Sequence, residues 1–510
     1  MGKGRIEKSI INVIFSMGSS VVILVLSFIS RTIFVRTLST EYLGLNGLFT
    51  NILSFLSLAE LGVGSALNYT LYKPIKENDI ERIKSIMNLY KKLYNAIGII
   101  VLVIGFAITP FLKFFIKEVP DNISYISLYY ILFVLNSGLS YFYTYKRALI
   151  ICNQEEYLSY IITTVCRIFL TVSQIVILLT LKSYMLYLLM AIVFTLVENI
   201  AISYISEKKY PYIGERNVEP LPKDYTDRVK KNVIALLFHK IGSAVVFSTD
   251  NIIISKFVGL TAVGLYSNYT LIVNSINNIL AKVFGTLTAS TGELIVSSNK
   301  RHMEQIFYDM LFANMWIYGW CGVCFLCLIQ PFIVLWLGNE YLMGTSVLII
   351  IVLNFYITGM RKTVWVFKDA AGIYKQDQIK PVVEAMINLI VSIPLAIQMG
   401  VSGVLIGTIA SNVLWAFWYE AFVLYKYCFE SSMKSYVKKQ LIYFGVWIVV
   451  ASISYLICNT LGQGLGYFIL KILICIFVPN VLIIAVYCRT SEFRYFKSVV
   501  MNVNRKETNK

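Results

Sequence analysis

Two apolar runs near the start of the chain, residues 10–34 and 43–67, each contain a charged side chain. Arg31 lies in the first run and Glu60 in the second. Each run reaches the roughly 20 residues that a helix needs to cross a bilayer. A charged side chain at mid-depth costs about 2.5–3.5 kcal/mol, so such residues usually line a functional path. The stretch therefore predicts a membrane protein with a polar route through it.

The composition extends this interpretation to the whole chain. Of the 510 residues, 57% are hydrophobic and 14% are charged, whereas soluble domains carry about 25% charged residues. Apolar windows of membrane-spanning length recur about fourteen times. We therefore expect an all-α integral membrane protein in which little lies outside the bilayer except short loops and tails.

The excess of basic residues indicates orientation rather than nucleic-acid binding. The formal net charge is +17, and most Lys and Arg side chains fall in alternate connections between the apolar runs, as in cytoplasmic loops. This alternation predicts an even number of spans with both termini cytoplasmic. We expect no nucleic-acid partner.

The longest polar connection divides the chain into parts. Residues 207–231 contain three prolines and dense charge, which is typical of a linker. We predict an N-terminal six-helix bundle at 1–206, a C-terminal six-helix bundle at 232–425, and two additional helices with a cytoplasmic tail at 426–510. A second polar stretch, 78–94, predicts either an interfacial helix or an extension of the third span, with Asn78 and Glu81 resembling a capping box.

A weak repeat joins the two predicted bundles. The segment from Arg31 parallels the segment from Asp250 at an offset of about 219 residues, and both lead to a similar tripeptide around Gly44 or Gly264. Six intervening spans give both copies the same orientation. We therefore expect two halves related by an axis along the membrane normal, with a site between them.

Charged residues inside predicted spans are the candidates for that site. They comprise Arg31, Glu60, Arg167, His239, Lys240, Asp250, Lys282, Arg361 and Lys362. Because cations outnumber anions in this set, we predict an anionic substrate bound by Arg31, Arg167, Lys240 and Lys282. Glu60 and Asp250 are candidates for pairing with Arg31 and Lys240, or for coupling transport to an ion. The alternative is that the pairs Arg31–Glu60 and Lys240–Asp250 only fix helix packing.

Other motifs give no support for catalysis or for a bound metal. Cys321, Cys324 and Cys327 form a CxxCxxC pattern inside an apolar helix, where cysteine usually serves as a small interior residue. Two histidines exclude a multi-histidine centre, and no P-loop sequence occurs. We therefore expect a transporter with no catalytic residue, cofactor or metal ion.

Residues 31–75 resemble the first two spans of bacterial polysaccharide flippases of the Wzx type, which export O-antigen and capsule units. The block Arg361–Val413 is similar to the same family, with its Asp369-Ala-Ala-Gly turn and its Gly403-Val-Leu-Ile-Gly run. That superfamily also contains the multidrug and toxin extrusion (MATE) transporters. The resemblance implies a MATE-like fold with twelve core helices in two bundles plus two extra helices, in the bacterial cytoplasmic membrane. Arg31 is the best match to the cationic lining that the family uses.

The resemblance also implies a function. The protein would export undecaprenyl-diphosphate-linked oligosaccharide by alternating access, with membrane lipids as surroundings and a polysaccharide polymerase and chain-length regulator as further candidate partners. A cation-coupled multidrug antiporter is the first alternative, and a membrane glycosyltransferase or polymerase is the second. The motifs identify a family and leave the glycan, the coupling ion and the oligomeric state open.

Overall fold

The structure is a computed structural model that describes residues 2–57, 63–121, 123–215, 218–219, 221, 249–373 and 375–498. These residues form long helices joined by short turns. The chain divides into two compact units, Met1–Gly264 and Leu265–Lys510. The predicted four-part division at 206, 231 and 425 stays a prediction.

The first unit is built from nine helices among its described residues, followed by the start of a tenth. They are α1 (Gly2–Thr37), α2 (Thr40–Leu56), α3 (Val63–Glu77), α4 (Ile80–Ile108), α5 (Ile126–Thr144), α6 (Arg147–Cys152), α7 (Glu156–Leu181), α8 (Tyr184–Lys209), α9 (Asp250–Phe257) and α10 (Leu260–Ser297).

The helices of the second unit follow α10. They are α11 (Lys300–Trp336), α12 (Thr345–Met360), α13 (Lys362–Ala370), α14 (Lys380–Met399), α15 (Val401–Ser411), α16 (Phe417–Leu424), α17 (Lys434–Asn459) and α18 (Leu465–Tyr487). Short π-helical segments, Asn412–Ala416 and Tyr425–Phe429, flank α16.

Eleven helical stretches within the described residues are long and apolar enough to cross a membrane. The protein is therefore a multi-pass membrane protein. Eleven of the fourteen predicted spans overlap these stretches, five in the first unit and the last six in the second unit. The other three predicted spans fall on α2 and α3, on a region mostly outside the described residues, and on α10, so the count of fourteen stays a prediction.

Most of the polar stretch 78–94 forms the first part of α4. α4 runs without interruption from Ile80 to Ile108, so the interfacial-helix alternative is wrong and the extension is correct. The predicted capping box at Asn78 is also wrong. Asp79 caps the helix by accepting a hydrogen bond from the backbone N–H of Arg82 at 3.0 Å, which satisfies one of the free donors at a helix start.

Helices α1 and α7 lie side by side in the first unit. Lys8 donates to Glu155 at 3.0 Å, and further along the pair Thr164 donates to Ser19 at 2.7 Å. The two contacts have nearly equal sequence separations, 147 and 145 residues, so the two helices run parallel. This arrangement places the interior residues of α1 beside those of α7.

The described part of the linker is tied to α4. Lys84 contacts Glu215 at 2.6 Å, and Ser85 donates to the backbone carbonyl of Glu219 at 2.7 Å. These two contacts hold the described part of the linker against α4.

The predicted repeat corresponds to a reciprocal crossing between α2 and the start of α10. A Cβ atom added to Gly44 would lie 2.0 Å from the carbonyl oxygen of Leu260, and one added to Gly264 would lie 2.2 Å from that of Thr40. Thr40 and Leu260 precede the two glycines by the same four residues. Each helix therefore presents a glycine to the backbone of the other, which only glycine permits at this distance.

In the second unit, α14 and α15 form a tight hairpin through the turn at Gly400, which has a φ of +60°. A Cβ on Gly403 would lie 2.0 Å from the carbonyl oxygen of Leu395, and a Cβ on Gly407 would lie 2.0 Å from the hydroxyl of Ser392. Glycines four residues apart let two membrane helices approach closely. The Gly403–Gly407 run thus has a packing role.

The last two helices pack against α11. Trp447 of α17 donates its indole N–H to the carbonyl of Gly319 at 3.0 Å, and its ring stacks on Tyr356 with centroids 4.2 Å apart. Trp320 of α11 donates to the backbone carbonyl of Cys475 on α18 at 2.8 Å. The two additional helices are therefore attached to the unit through α11.

Candidate functional site

Of the candidate cations that the structure describes in the first unit, Arg167 lies nearest the middle of its helix. It lies 11 residues after the start of α7 and 14 before its end, or roughly 16 and 21 Å along the axis. Its side chain is exposed and forms no ion pair with a described residue. A cation at mid-helix is tolerated where it meets water or a polar ligand rather than lipid.

Arg31 lies nearer a helix end. It is partly buried on α1, six residues before Thr37, which corresponds to about 9 Å along the axis. The hydroxyl of Tyr187 on α8 interacts electrostatically with both Arg31 and Arg167 and hydrogen bonds with Ser30. The structure thus brings these two predicted cations to one tyrosine.

Aromatic rings surround the Arg31 end of this site. Tyr187 lies 5.3 Å from Phe34 between ring centroids, and Tyr184 lies 4.8 Å from both Tyr42 and Tyr129. The Tyr184 hydroxyl donates to the side-chain oxygen of Asn46 at 2.7 Å. Tyrosines combine an apolar face with a hydrogen-bonding tip, so the cluster offers surfaces for a sugar or lipid group next to the two arginines.

Two other predicted site residues, Lys282 and Asp250, lie among the described residues. Lys282 is exposed on α10 in the second unit, and Asp250 is partly buried at the first position of α9. Glu60, Lys240 and His239 lie outside the described residues. The predicted pairs Arg31–Glu60 and Lys240–Asp250 therefore stay predictions.

A buried charge network occupies the second unit. Arg361 makes a bidentate contact with Glu420, at 2.8 and 2.9 Å, and contacts Glu384 at 3.1 Å. Lys380 reaches Glu420 at 2.8 Å and Glu384 at 3.1 Å. Trp365 also donates to Glu420 at 2.7 Å. Fork-shaped pairing of arginine with a carboxylate is the strongest geometry available to these groups.

The network is completed by Lys368, which contacts Asp377 and lies 3.6 Å from Glu420. Its three cations and three carboxylates balance. Arg361, Glu384 and Glu420 are almost fully buried, with side-chain exposures of 1%, 3% and 1%. Breaking a buried pair by removing one partner costs several kcal/mol, so the network fixes the end of α12 together with α13, α14 and α16 in one arrangement.

This network corrects the sequence-based inventory of charges. Arg361 is included in the excess of intramembrane cations that suggests an anionic substrate, but its guanidinium is paired within the network. The inventory missed Glu384 and Glu420, and it missed Glu198, which pairs with Arg147 at 2.7 Å. The signal was in the sequence, because all three acids fall inside predicted spans. The excess of cations over carboxylates inside the predicted spans is therefore smaller than predicted.

Glu155 joins three groups at one end of the first unit. It accepts hydrogen bonds from Lys8 at 3.0 Å and from Tyr210 at 2.9 Å, and it contacts Lys209 at 2.5 Å. Burial alone would raise the pKa of this carboxyl, but the hydrogen bonds from Lys209, Lys8 and Tyr210 outweigh burial and lower the pKa below its ordinary value of 4.5. Burial and the Glu155 carboxylate raise the pKa of Tyr210.

Comparison with known proteins gives the family. Residues 9–288, more than half of the chain, match the family described as polysaccharide biosynthesis protein. The chain belongs to this family. No curated protein sequence matches it. The resemblance to Wzx-type flippases in the sequence is thus confirmed.

Solved structures show the fold of this family member. It is similar to the lipid II flippase MurJ in an inward closed conformation, with 13% identity and a TM-score of 0.65 over 94% of this chain and 99% of that chain. It is also similar to an inward-facing multidrug resistance MATE family transporter of the MOP superfamily, with 16% identity and a TM-score of 0.64 over 79% of this chain and 94% of that chain. A variant of the Vibrio cholerae MATE transporter VcmN is similar with 11% identity and a TM-score of 0.56, over 85% of this chain and 98% of that chain. The predicted MATE-like helical membrane fold is confirmed.

Proposed function

We propose that this protein is a flippase that exports undecaprenyl-diphosphate-linked oligosaccharide units across the bacterial cytoplasmic membrane for surface polysaccharide biosynthesis. Export proceeds by alternating access, without ATP. Membership of the polysaccharide biosynthesis family supports the class of pathway. The likeness to a lipid II flippase supports a fold able to move a lipid-linked sugar.

The cationic surface of the first unit carries the proposal. Arg167 sits at mid-helix, exposed and without an acidic partner among the described residues, and shares Tyr187 with Arg31. A lipid-linked diphosphate carries about two negative charges, and an arginine fork matches its oxygens bidentately. Arg167 and Arg31 are the proposed diphosphate ligands, and Lys240 and Lys282 remain further candidates.

The chemistry of the substrate fits such a surface. Its glycan cannot cross hydrocarbon and needs a wet path, whereas its polyprenyl tail can stay in lipid. Outward movement of an anion from an inside-negative cell is favourable by about 2.3 kcal/mol per charge per 100 mV. Full neutralisation by the protein would cancel that help, so Glu60 and Asp250 are retained as candidates for ion coupling.

The test is reconstitution of the purified protein in liposomes. We expect it to move a polyprenyl-diphosphate-linked glycan between leaflets without ATP. Arg167→Ala should lose about 2 kcal/mol of binding, roughly thirtyfold in apparent affinity, while Arg167→Lys should recover part of the loss because it restores charge without the fork. Arg301→Ala, which removes an exposed arginine at the start of α11, is the matched control. Wild-type liposomes that do not move the lipid would exclude the proposal.

A cation-coupled multidrug antiporter is the second candidate, favoured by the likeness to MATE transporters. A deletion strain separates the two functions. The flippase proposal expects loss of surface polysaccharide with ordinary sensitivity to cationic dyes. Normal surface polysaccharide together with dye hypersensitivity would instead identify an antiporter.

A further inference from the structure

Three cysteines from three different helices meet inside the second unit. Cys327 of α11, Cys458 of α17 and Cys475 of α18 have sulfur atoms that all lie within 4.8 Å of one another. Their exposures are 3%, 3% and 1%, and the thiols hydrogen bond with one another. Of the CxxCxxC pattern, only the last cysteine belongs to this cluster. The other two members come from the two additional helices.

A cation without an acidic partner lies beside the three thiols. Lys471 is four residues, about one turn, before Cys475 on α18, and it is 7% exposed. It forms no ion pair with any described residue, but it interacts electrostatically with Cys458. A buried ammonium usually needs a nearby negative charge, and thiolates would supply that charge.

A cavity is lined by residues that neighbour the three cysteines in sequence. Its volume is about 170 Å³, and its lining includes Gln330, Asn459 and Lys471. Each of these residues lies within about one turn of one of the three cysteines. Loop residue Leu342 and residues Gly462–Gly464 also line it, so the cavity lies at the loop end of α11, α17 and α18. Its polar side chains offer hydrogen bonds to the water of a hydrated ion next to the cluster.

We propose that Cys327, Cys458 and Cys475 form a three-thiolate site for a soft metal ion, Zn²⁺ or Cu⁺, with Lys471 as the counter-ion. Soft thiolate ligands select these ions. Zn–S bonds of about 2.3 Å in a tetrahedral site place sulfur atoms roughly 3.8 Å apart, so small side-chain rotations bring the thiols to that spacing. A Zn²⁺ ion, three thiolates and the Lys471 ammonium together carry no net charge, which suits a site at membrane depth.

Binding replaces the three thiol protons with one metal ion, and the protons leave to solvent. The bound ion joins α17 and α18 to α11, the helix against which both already pack. The site is a fixed link for the two additional helices and does not depend on the transported substrate.

Metal binding by the full-length protein tests the proposal. The purified protein is reduced, stripped with a chelator, and titrated separately with Zn²⁺ and with Cu⁺ against a competing chelator. We expect about one ion per protein for at least one of the two metals and a metal-dependent rise in the thermal midpoint, because a ligand bound only by the folded state stabilises it. Cys475→Ser and Cys458→Ser should abolish both effects.

Two variants and one chemical measurement complete the test. Cys321→Ser, on the same helix and in the same CxxCxxC pattern, should bind like the wild type, and Lys471→Met should weaken binding roughly 10- to 100-fold, as loss of a supporting residue does. Alkylation should find all three thiols reduced before metal is added. If neither metal binds, if Cys475→Ser and wild type bind equally, or if two of the cysteines are joined as a disulfide, the proposal is wrong. If Cys475→Ser does not fold, metal binding by Lys471→Met and Cys458→Ser tests the proposal in its place.

Discussion

Individual charged residues in this protein occupy two different environments. Arg361, Lys380 and their carboxylate partners form a balanced, buried network that fixes helices. Arg167 has no acidic partner among the described residues and is exposed at mid-helix. The two environments explain why a count of intramembrane charges is a poor guide to a binding site unless the pairing of each charge is also known.

Glu420 is the acidic centre of the network, because it contacts Arg361, Lys368 and Lys380 and accepts from Trp365. Glu420→Ala would leave Arg361 and Lys380 buried with only one of their two carboxylates, Glu384. We expect a loss of about 3–5 kcal/mol in stability, seen as a lower thermal midpoint and a smaller folded yield in detergent. Glu340→Ala, at an exposed loop position, should leave both unchanged. A Glu420→Ala protein with wild-type stability would mean that the network contributes little.

Glu155 predicts a dependence of stability on pH. Its pKa in the folded protein is below 4.5, so the unfolded chain takes up a proton at higher pH than the folded chain does. The stabilisation is therefore complete above pH 4.5 and is lost as the pH falls through the folded pKa. Thermal unfolding of wild type and Glu155→Gln at pH 7 and pH 4 measures it. The glutamine variant should be less stable at pH 7 and should lose less on acidification, while equal losses would contradict the assignment.

At the scale of helices, much of the structure could be predicted from the sequence. Apolar length and flanking lysines located most membrane stretches to within a few residues. The prediction of the cap of α4 was wrong because two neighbouring residues can both cap a helix, and Asp79 rather than Asn78 does so. The charge network could not be predicted because its members come from helices whose contacts are set by tertiary packing. The three-cysteine cluster was missed for the same reason.

The crossing of α2 and α10 gives a prediction at this scale. Gly44→Ala would place a methyl carbon against the Leu260 carbonyl, where 2.0 Å is available, and backbone cannot move aside as a side chain can. We expect a loss of about 1–3 kcal/mol and impaired transport. Gly264→Ala should behave alike because the contact is reciprocal.

Gly18→Ala is the control for this crossing, since a Cβ there has no atom within 4 Å, and it should be neutral or slightly stabilising. The measurements are thermal unfolding in detergent and movement of lipid-linked glycan in liposomes. If Gly44→Ala and Gly18→Ala behave alike in both, the close approach of the two helices is not required.

For the whole molecule, the distribution of basic residues predicts the orientation in the membrane. Most Lys and Arg residues outside the spans fall on one predicted side, together with the linker 207–231 and both ends of the chain, and such loops remain cytoplasmic. The loop after α11, residues 337–344, contains no Lys or Arg and one glutamate. We therefore expect this loop to face the outside of the cell.

Cysteine labelling in intact cells measures this orientation, with the exposed native Cys488 first changed to serine. One reporter is Glu340→Cys in the loop after α11, and the other is Asn217→Cys in the linker, at a position outside the described residues. An impermeant maleimide should label Glu340→Cys in intact cells and Asn217→Cys only after permeabilisation, because the reagent cannot cross the bilayer. Labelling of Asn217→Cys before permeabilisation would reverse the orientation, and the diphosphate would then have to enter the protein from the opposite side.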